Sequence, residues 1–317
     1  MAQIKVEKMI PFANSRKTVF KKISRYKGLY IFVIPAIIWT FIFQYIPLYG
    51  ITLGFKDFSY AKGILGSDWV GLKYVKIFIF NPQFWSMVKN TVVISTLKIV
   101  FCFPVPLIFA LMLNEVNQKF SKRVIQTVSY LPHFVSWVVI ITLLNKFVSP
   151  YGGIINELRS ALWGSEPVYY MGSEKWFYPL VIITHNYKLM GWSSIIYIAA
   201  IAGIDQELYE SAYVDGAGRW RMIWSVTLPC IMPTIVLLFI MNMGSIFSAG
   251  FDQIYLMTNP SNRQVADVLD VYGLNVGIRD GNFSLATAVG IFQSLITFVI
   301  VFLTNAISKR VSEVSLW

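Results

Sequence analysis

Long apolar runs with few charges recur along the chain, and they constrain its fold more than any other feature. A helix that crosses a bilayer needs about 20 mostly apolar residues, and several runs here are about that long. Hydrophobic residues fill 56% of the positions and charged residues 14%, against about 25% charged in a soluble domain. The short alternating strands of a membrane barrel are not evident in the sequence. The chain is therefore predicted to be an all-α, polytopic membrane protein.

Six membrane-spanning helices are predicted from these runs. They are residues 29–53, 91–113, 133–149, 177–204, 226–248 and 285–307. The spans divide the chain into a basic N-terminal segment (1–28), a six-helix membrane domain (29–308) and a tail (309–317). The first apolar run is longer than the core of a signal peptide and no small-residue cleavage site follows it, so we expect it to remain as the first span.

The basic residues indicate which side of the membrane each connection faces, because cytoplasmic connections carry an excess of Lys and Arg. Eight of the 27 basic residues precede Leu29. Others follow the second, fourth and sixth spans: Lys119, Lys122, Arg123, Arg219, Arg221, Lys309 and Arg310. Both termini are therefore predicted to be cytoplasmic. One loop on the predicted outside disagrees, with Lys56, Lys62, Lys73, Lys76 and Lys89, but long loops are translocated largely regardless of charge.

The motifs of an enzyme are absent from the sequence. No G-x-x-x-x-G-K-[ST] or G-x-G-x-x-G segment is present, so no phosphate-binding loop is expected. The two histidines and two cysteines lack metal-ligand spacing, and no catalytic constellation is evident. We therefore expect no enzyme activity, no metal and no cofactor bound by this chain. The net charge of +11 is interpreted as an orientation signal rather than a nucleic-acid footprint.

Prolines recur within the predicted spans, at Pro35, Pro47, Pro104, Pro106, Pro179 and Pro233. Two interpretations stay open. The prolines are tolerated kinks whose freed carbonyls are satisfied by neighbouring helices, or they mark broken helices around a transport path.

A polar insert rich in small residues separates the fourth span from the fifth, at residues 205–228. Residues 206–214 are predicted to form a short helix with Asp205 as its N-cap. Gly216 and Gly218 interrupt it before a second helix resumes. Small side chains permit close approach of another backbone, and the charged ones can bind a neighbour. An ordinary solvated loop is the alternative on physical grounds.

This insert resembles the coupling loop of ABC importer permeases, which reads Glu-Ala-Ala, three residues, Gly, nine residues, Ile, any residue, Leu-Pro. The chain has Glu210-Ser211-Ala212, three residues, Gly216, nine residues, Val226-Thr227-Leu228-Pro229. It departs conservatively at Ser211 and Val226, and the resemblance extends over most of the chain. FDQIYLMTNP at 251–260 and the stretch 268–294 resemble a branch that imports complex oligosaccharides, including aldouronate and rhamnogalacturonan-type fragments.

The resemblance implies a type I importer permease fold, and this chain would be the larger permease of a pair. Its partners would be a second permease subunit, a cytoplasmic ATPase dimer that binds ATP and Mg²⁺, and an extracellular lipoprotein that delivers an oligosaccharide. The chain would span the lipid bilayer and bind no nucleic acid. The residues expected to couple it to the ATPase are Glu210, Ser211, Ala212, Asp215, Gly216, Ala217, Arg219, Leu228 and Pro229.

Polar and aromatic residues within the spans are the candidates for a sugar path: Asn186, Tyr187, Lys188, Trp192, Asn242 and Gln293. Hydrogen bonding between helices is the alternative role for each of them. Lys188 lies in the fourth span, and no predicted span holds a carboxylate to pair with it. A second permease or a uronate-bearing substrate is expected to supply its counter-charge. Lys98 can snorkel or pair, and it is assigned no role.

An ion-coupled secondary transporter or channel is the alternative function. Such a protein would use acidic residues within the membrane, and none of the six predicted spans contains Asp or Glu. A membrane enzyme or assembly scaffold is a third hypothesis, which no catalytic constellation supports. The sequence therefore favours the permease of an ATP-driven oligosaccharide importer.

Overall fold

The computed structural model of the protein describes residues 27–311. Most of the predicted basic segment and of the predicted tail lie outside these residues. The chain divides into two compact units, Met1–Thr52 and Leu53–Trp317. Helix α1 (Lys27–Thr40), in the first unit, continues through a π-helical turn (Phe41–Tyr45) into a 3-10 segment (Ile46–Phe55) that ends just past Thr52. This continuous apolar stretch matches the predicted first span.

In the described residues of the second unit, the regular structure is helical apart from one short ladder of two strands. Its strands are β1 (Lys56–Asp57) and β2 (Asp68–Trp69), which pair antiparallel. Its helices are α2 (Gly63–Gly66), α3 (Lys73–Ile79), α4 (Phe84–Phe101), α5 (Pro104–Asn114), α6 (Lys119–Phe134), α7 (Trp137–Val148), α8 (Ile154–Trp163), α9 (Glu174–Ala202), α10 (Gln206–Val214), α11 (Arg219–Met222), α12 (Leu228–Met243), α13 (Phe251–Met257), α14 (Arg263–Ala266), α15 (Leu269–Leu274) and α16 (Phe283–Val311). Single 3-10 or π turns occur at Tyr170–Gly172, Ile223–Thr227 and Asn275–Arg279.

Four helical segments of the described chain are long and apolar enough to cross a bilayer, and up to six are if each bent pair forms one span. The four are Tyr30–Phe55, Phe84–Asn114, Arg219–Met243 and Phe283–Arg310. The bent pairs are α6 with α7, and α9 with α10. The predicted all-α membrane architecture is confirmed.

The third predicted span, residues 133–149, is wrong as a single straight helix. In the structure, α6 and α7 meet at an angle of 99°. Ser136 between them is extended, and its hydroxyl accepts a hydrogen bond from the Val139 N–H, so it caps α7. The 12 residues of α7 rise about 18 Å, less than the hydrocarbon core of about 30 Å. Helix α6 must therefore contribute to any crossing here.

The fifth span also differs from the prediction of 226–248. It begins at Arg219 and ends at Met243, because the chain turns between α12 and α13. Ala249 has a φ of +43° and Gly250 a φ of +79°, which no helix accommodates. This break brings the Ala249 carbonyl group against α4, as described below.

The lysines that disagreed with the predicted orientation are largely engaged within their own loop. The Lys56 ammonium donates to the carbonyl oxygens of Ile64 and Leu65, at 2.8 and 3.2 Å. Lys62 pairs with Asp68 at 2.6 Å and Lys73 with Asp57 at 2.8 Å. The hydrogen bond from Lys73, with a further one from Tyr74, lowers the pKa of the Asp57 carboxyl. These charges serve the local fold and say little about orientation.

Polar side chains tie the helices of the second unit together. The buried Gln253 on α13 donates to the carbonyl oxygen of Val181 at 2.8 Å and to the Thr184 hydroxyl at 2.7 Å, both on α9. Asn90 on α4 donates to the carbonyl oxygens of Gln264 and Asp267. Such bonds hold helices together in lipid, where apolar burial gives little driving force. They set the spacing of the helices that line the cavity described next.

Candidate functional site

A cavity of about 530 Å³ lies between α4, α5, α9 and α12 and is called the inner cavity here. Its polar wall residues are Ser95, Lys98, Cys102, His185, Asn186, Ser193, Asn242 and Ser245, and its aromatic wall residues are Phe103, Trp192 and Tyr197. Within the described residues, the wall contains a lysine but no Asp or Glu. The inner cavity thus combines aromatic surface, hydroxyl and amide groups, and a cation.

The aromatic surface of the inner cavity is held in a fixed orientation. The Trp192 indole stacks on the His133 ring with centroids 4.2 Å apart and planes 2° apart. Phe134 meets the indole edge-on at 5.7 Å. Trp192 is nevertheless 42% exposed. An oriented indole of this kind is a suitable surface for a ring to lie against.

Two asparagines of the predicted path also reach the inner cavity. The Asn186 amide nitrogen donates to the carbonyl oxygen of Phe101 at 3.3 Å, which connects α9 to the end of α4. The Asn242 amide donates to the carbonyl oxygen of Leu238 at 2.8 Å, one turn earlier on α12. The structure therefore brings Asn186, Trp192 and Asn242 together around one space.

Lys98 lies on the wall of the inner cavity, although sequence reasoning assigned it no role. Its ammonium donates to the carbonyl oxygen of Ala249 at 2.7 Å, at the break after α12. A Cβ atom added at Gly250 would lie 2.5 Å from this ammonium, so a glycine leaves room for it. No carboxylate of the described residues forms an ion pair with Lys98.

The hydroxyl oxygen of Ser95, on the wall of the inner cavity, has no hydrogen-bond partner. Ser95 lies on α4 and is buried. Ser95, Lys98 and Cys102 are separated by three and four residues, which places them on one face of a helix. This spacing is the sequence signal that could have identified Lys98 as a wall residue.

Two other residues of the predicted path lie outside the inner cavity. Tyr187 is 61% exposed and is not part of the wall. The Gln293 amide donates to the carbonyl oxygen of Phe247 at 3.0 Å and to the Asp270 carboxylate at 2.9 Å. Burial raises the pKa of that carboxyl, although the Gln293 bond opposes the shift. Gln293 therefore joins helices rather than lining the cavity.

The predicted spans offer the Lys188 ammonium no carboxylate, but the structure gives it other partners. Its ammonium donates to the carbonyl oxygens of His133, at 2.7 Å, and of Val135. It also lies 5.5 Å from the centroid of the Trp137 ring. These groups belong to the bend between α6 and α7. Carbonyl dipoles and a ring within the chain therefore surround this cation, and a counter-charge from a second permease or from a substrate stays a prediction.

The insert after α9 forms the predicted pair of short helices. The Asp205 side chain accepts a hydrogen bond from the Glu207 N–H and caps α10. Gly216 ends the turn after α10 with a φ of +75°, and the Ala217 N–H donates to the Ala212 carbonyl oxygen at 2.9 Å. This arrangement is a glycine C-cap. Gly216 therefore adopts a left-handed backbone conformation, which favours glycine.

The surface of this insert is open in the isolated chain. Glu210, Ser211, Asp215, Gly216, Arg219 and Pro229 are exposed, and Ala212, Ala217 and Leu228 are half-buried. Large apolar residues are exposed beside them: Val214, Trp220 and Trp224 at 85, 77 and 69%. Such a mixed apolar and charged patch is typical of a surface that binds another protein. Arg219 lies 3.9 Å from Glu115 at the end of α5, so the insert also contacts the membrane helices.

Known proteins resemble this chain over most of its length. Residues 103–313, more than half of the chain, match the family described as "Binding-protein-dependent transport system inner membrane component". The protein LplB of Bacillus subtilis (strain 168) is 42% identical over 295 residues, which are 93% of this chain and 92% of LplB. The polygalacturonan/rhamnogalacturonan transport system permease protein YteP of the same organism is 40% identical over 308 residues, which are 97% of this chain and 96% of YteP.

Two solved structures share the fold. One is a bacterial ABC transporter involved in the import of the acidic polysaccharide alginate, with a TM-score of 0.85 and 38% identity over 93% of this chain and 99% of that one. The other is the bacterial alginate ABC transporter in complex with an alginate pentasaccharide-bound periplasmic protein, with the same TM-score and identity over 94% and 99%.

Proposed function

Because the chain belongs to the family of binding-protein-dependent transport system inner membrane components, we propose that it is the permease through which an ATP-driven importer takes up acidic oligosaccharides. It is a multi-pass membrane permease of an ABC sugar importer. The acidic cargo is the proposed part. The observation that carries it is the inner cavity, whose wall, within the described part of the chain, holds Lys98 and no acidic residue.

The shape of the inner cavity supports a sugar as the cargo. The oriented Trp192 indole offers a face on which a pyranose ring can lie, and Asn186, Asn242 and the wall serines offer hydrogen bonds. A site for a polar ligand commonly combines apolar surface with a few placed polar groups. The substrates that two relatives are named for, polygalacturonan/rhamnogalacturonan and alginate, support a uronate-bearing cargo.

The exposed insert supports coupling to an ATPase. We propose that α10 and the Gly216 turn dock in a cleft of a cytoplasmic ATPase dimer, which binds ATP and Mg²⁺, and that both termini lie on that side. A second permease subunit completes the path, and an extracellular binding lipoprotein delivers the sugar. Closure of the ATPases then moves α10 with the helices attached to it, so that the inner cavity changes the side to which it opens. This chain moves and binds, and the ATPase performs the chemistry.

Uptake by the reconstituted complex tests the proposed cargo. Proteoliposomes are given a galacturonate tetrasaccharide or a neutral galactose tetrasaccharide at equal concentration, with binding protein and ATP. We expect the acidic sugar to enter at least about tenfold faster. Equal rates, or faster uptake of the neutral sugar, would contradict an acidic cargo.

A further inference from the structure

We infer that Lys98 is the residue of this permease that recognises a carboxylate of the passing oligosaccharide, an inference that rests on the proposed acidic cargo. Lys98 is a half-buried cation on the wall of the inner cavity. An ammonium group has three donors, and one of them binds the Ala249 carbonyl oxygen. The structure leaves the other donors available to a ligand in the cavity.

Charge is the first argument for this role. A lysine among membrane helices is costly unless a counter-charge, a carbonyl group or water compensates it. No carboxylate of the described residues pairs with Lys98, and the described cavity wall supplies none. A uronate residue carries the missing charge, and hydrogen bonds between ammonium and carboxylate are among the stronger ones.

A neighbouring polar group is the second argument. Ser95 lies one turn before Lys98 on α4, and its hydroxyl is buried on the cavity wall without a partner. Buried polar groups are rarely left without hydrogen bonds. In the inferred complex, the second oxygen of a carboxylate held by Lys98 accepts a hydrogen bond from the Ser95 hydroxyl, which lies on the same face of α4.

Lys188 provides a comparison within the same chain. It too is a lysine among apolar helices, but carbonyl oxygens of His133 and Val135 accept its hydrogen bonds and it is not part of the cavity wall. The two lysines therefore differ in access to a ligand, and Lys188 serves as the matched control.

The test compares a galacturonate trisaccharide with its carboxyl methyl ester, which has the same length and no charge. Uptake of both is measured in proteoliposomes that hold the assembled complex, with binding protein saturated by each sugar. Lys98→Gln keeps a donor for the Ala249 carbonyl oxygen and removes the charge. We expect it to slow uptake of the acid at least about tenfold and uptake of the ester less than about threefold. Lys98→Arg is expected to retain most acid uptake, and Lys188→Gln to affect both sugars equally.

Ser95→Ala provides a second variant, because it removes a hydroxyl that bonds to nothing in the fold. It is expected to slow the acid about threefold relative to the ester. Equal losses of both sugars in Lys98→Gln and in Ser95→Ala would overturn the role of Lys98 while leaving the acidic cargo intact. If the unaltered complex imports the ester as fast as the acid, the acidic cargo and the inference both fail.

Discussion

At the scale of single residues, Lys98 and Lys188 differ in their access to a ligand because different groups surround them. Both lie in apolar helices without a carboxylate nearby in sequence. The spacing of Ser95, Lys98 and Cys102 indicates a shared helix face, but the sequence does not show which groups surround either lysine. The groups that separate them come from distant parts of the chain: Ala249 lies 151 positions from Lys98, and His133 lies 55 from Lys188. Of the six candidates for the sugar path, Asn186, Trp192 and Asn242 lie on the wall of the inner cavity. Their role in transport stays a prediction.

Replacing Lys188 by Met is expected to destabilise the protein rather than change its choice of sugar. The carbonyl oxygens of His133 and Val135 would lose their donor, and each unsatisfied buried group costs about 1–3 kcal/mol. The melting temperature of the detergent-solubilised protein should fall, and uptake of acidic and neutral sugars should fall together. An unchanged melting temperature with a selective loss of acidic uptake would return Lys188 to the substrate path.

Gly191 on α9 is expected to tolerate no side chain. A Cβ atom there would lie 2.2 Å from the Ser129 carbonyl oxygen on α6, so Gly191→Ala must push two helices apart. We expect a loss of about 1–3 kcal/mol, the usual cost of overpacking, measured as a lower melting temperature. Gly290→Ala on α16 is the control, since its Cβ meets nothing within 4 Å. Equal melting temperatures for the two variants would show that α6 and α9 are not in such close contact.

At the scale of elements, hydropathy predicted the approximate positions of the spans, but it did not predict the bend between α6 and α7. Ser136 caps α7 at the bend between α6 and α7, a role that hydropathy does not predict. None of the six prolines of the predicted spans lies at this bend, since Pro35, Pro179 and Pro233 lie inside continuous helices. Pro132, just before the third predicted span, lies near the end of α6. The insert was predicted better, since glycine and cap residues act locally.

The turn after α10 is expected to require glycine at 216 and not at 218. Gly216 has a φ of +75°, whereas Gly218 has a φ of −74°, and a Cβ at either position meets nothing within 4 Å. Gly216→Val must therefore strain the backbone by about 1–2 kcal/mol or move the turn, and Gly218→Ala need not. We expect Gly216→Val to abolish uptake and co-purification of the ATPase while the protein stays in the membrane.

Gly218→Ala should retain both properties. Glu210→Lys reverses an exposed charge on α10 and should behave like Gly216→Val. Normal transport in Gly216→Val and Glu210→Lys would remove the coupling role from this insert.

At the scale of the whole molecule, the basic residues predict the orientation in the membrane, with both termini in the cytoplasm. With Cys102 and Cys230 replaced by Ser, cysteines placed at Ser15 and Ser312, which lie outside the described residues, should be shielded from an impermeant thiol reagent in intact cells. A cysteine at Asp280 should react, since this residue is exposed in the connection before α16. Asp280 is preferred to Asn282, whose side chain accepts a hydrogen bond from the Leu285 N–H. If the external reagent labels a cysteine at position 15, the predicted cytoplasmic N-terminus is wrong.

The energy source of transport tests the central claim most directly. The complex is reconstituted in proteoliposomes, and accumulation of a labelled galacturonate oligosaccharide is followed with ATP on the ATPase side, or with a proton or sodium gradient and no ATP. We predict accumulation only when ATP and the loaded binding protein are both present, with ATP hydrolysis rising in parallel. Accumulation driven by an ion gradient without ATP would contradict the claim that this permease works as part of an ABC importer.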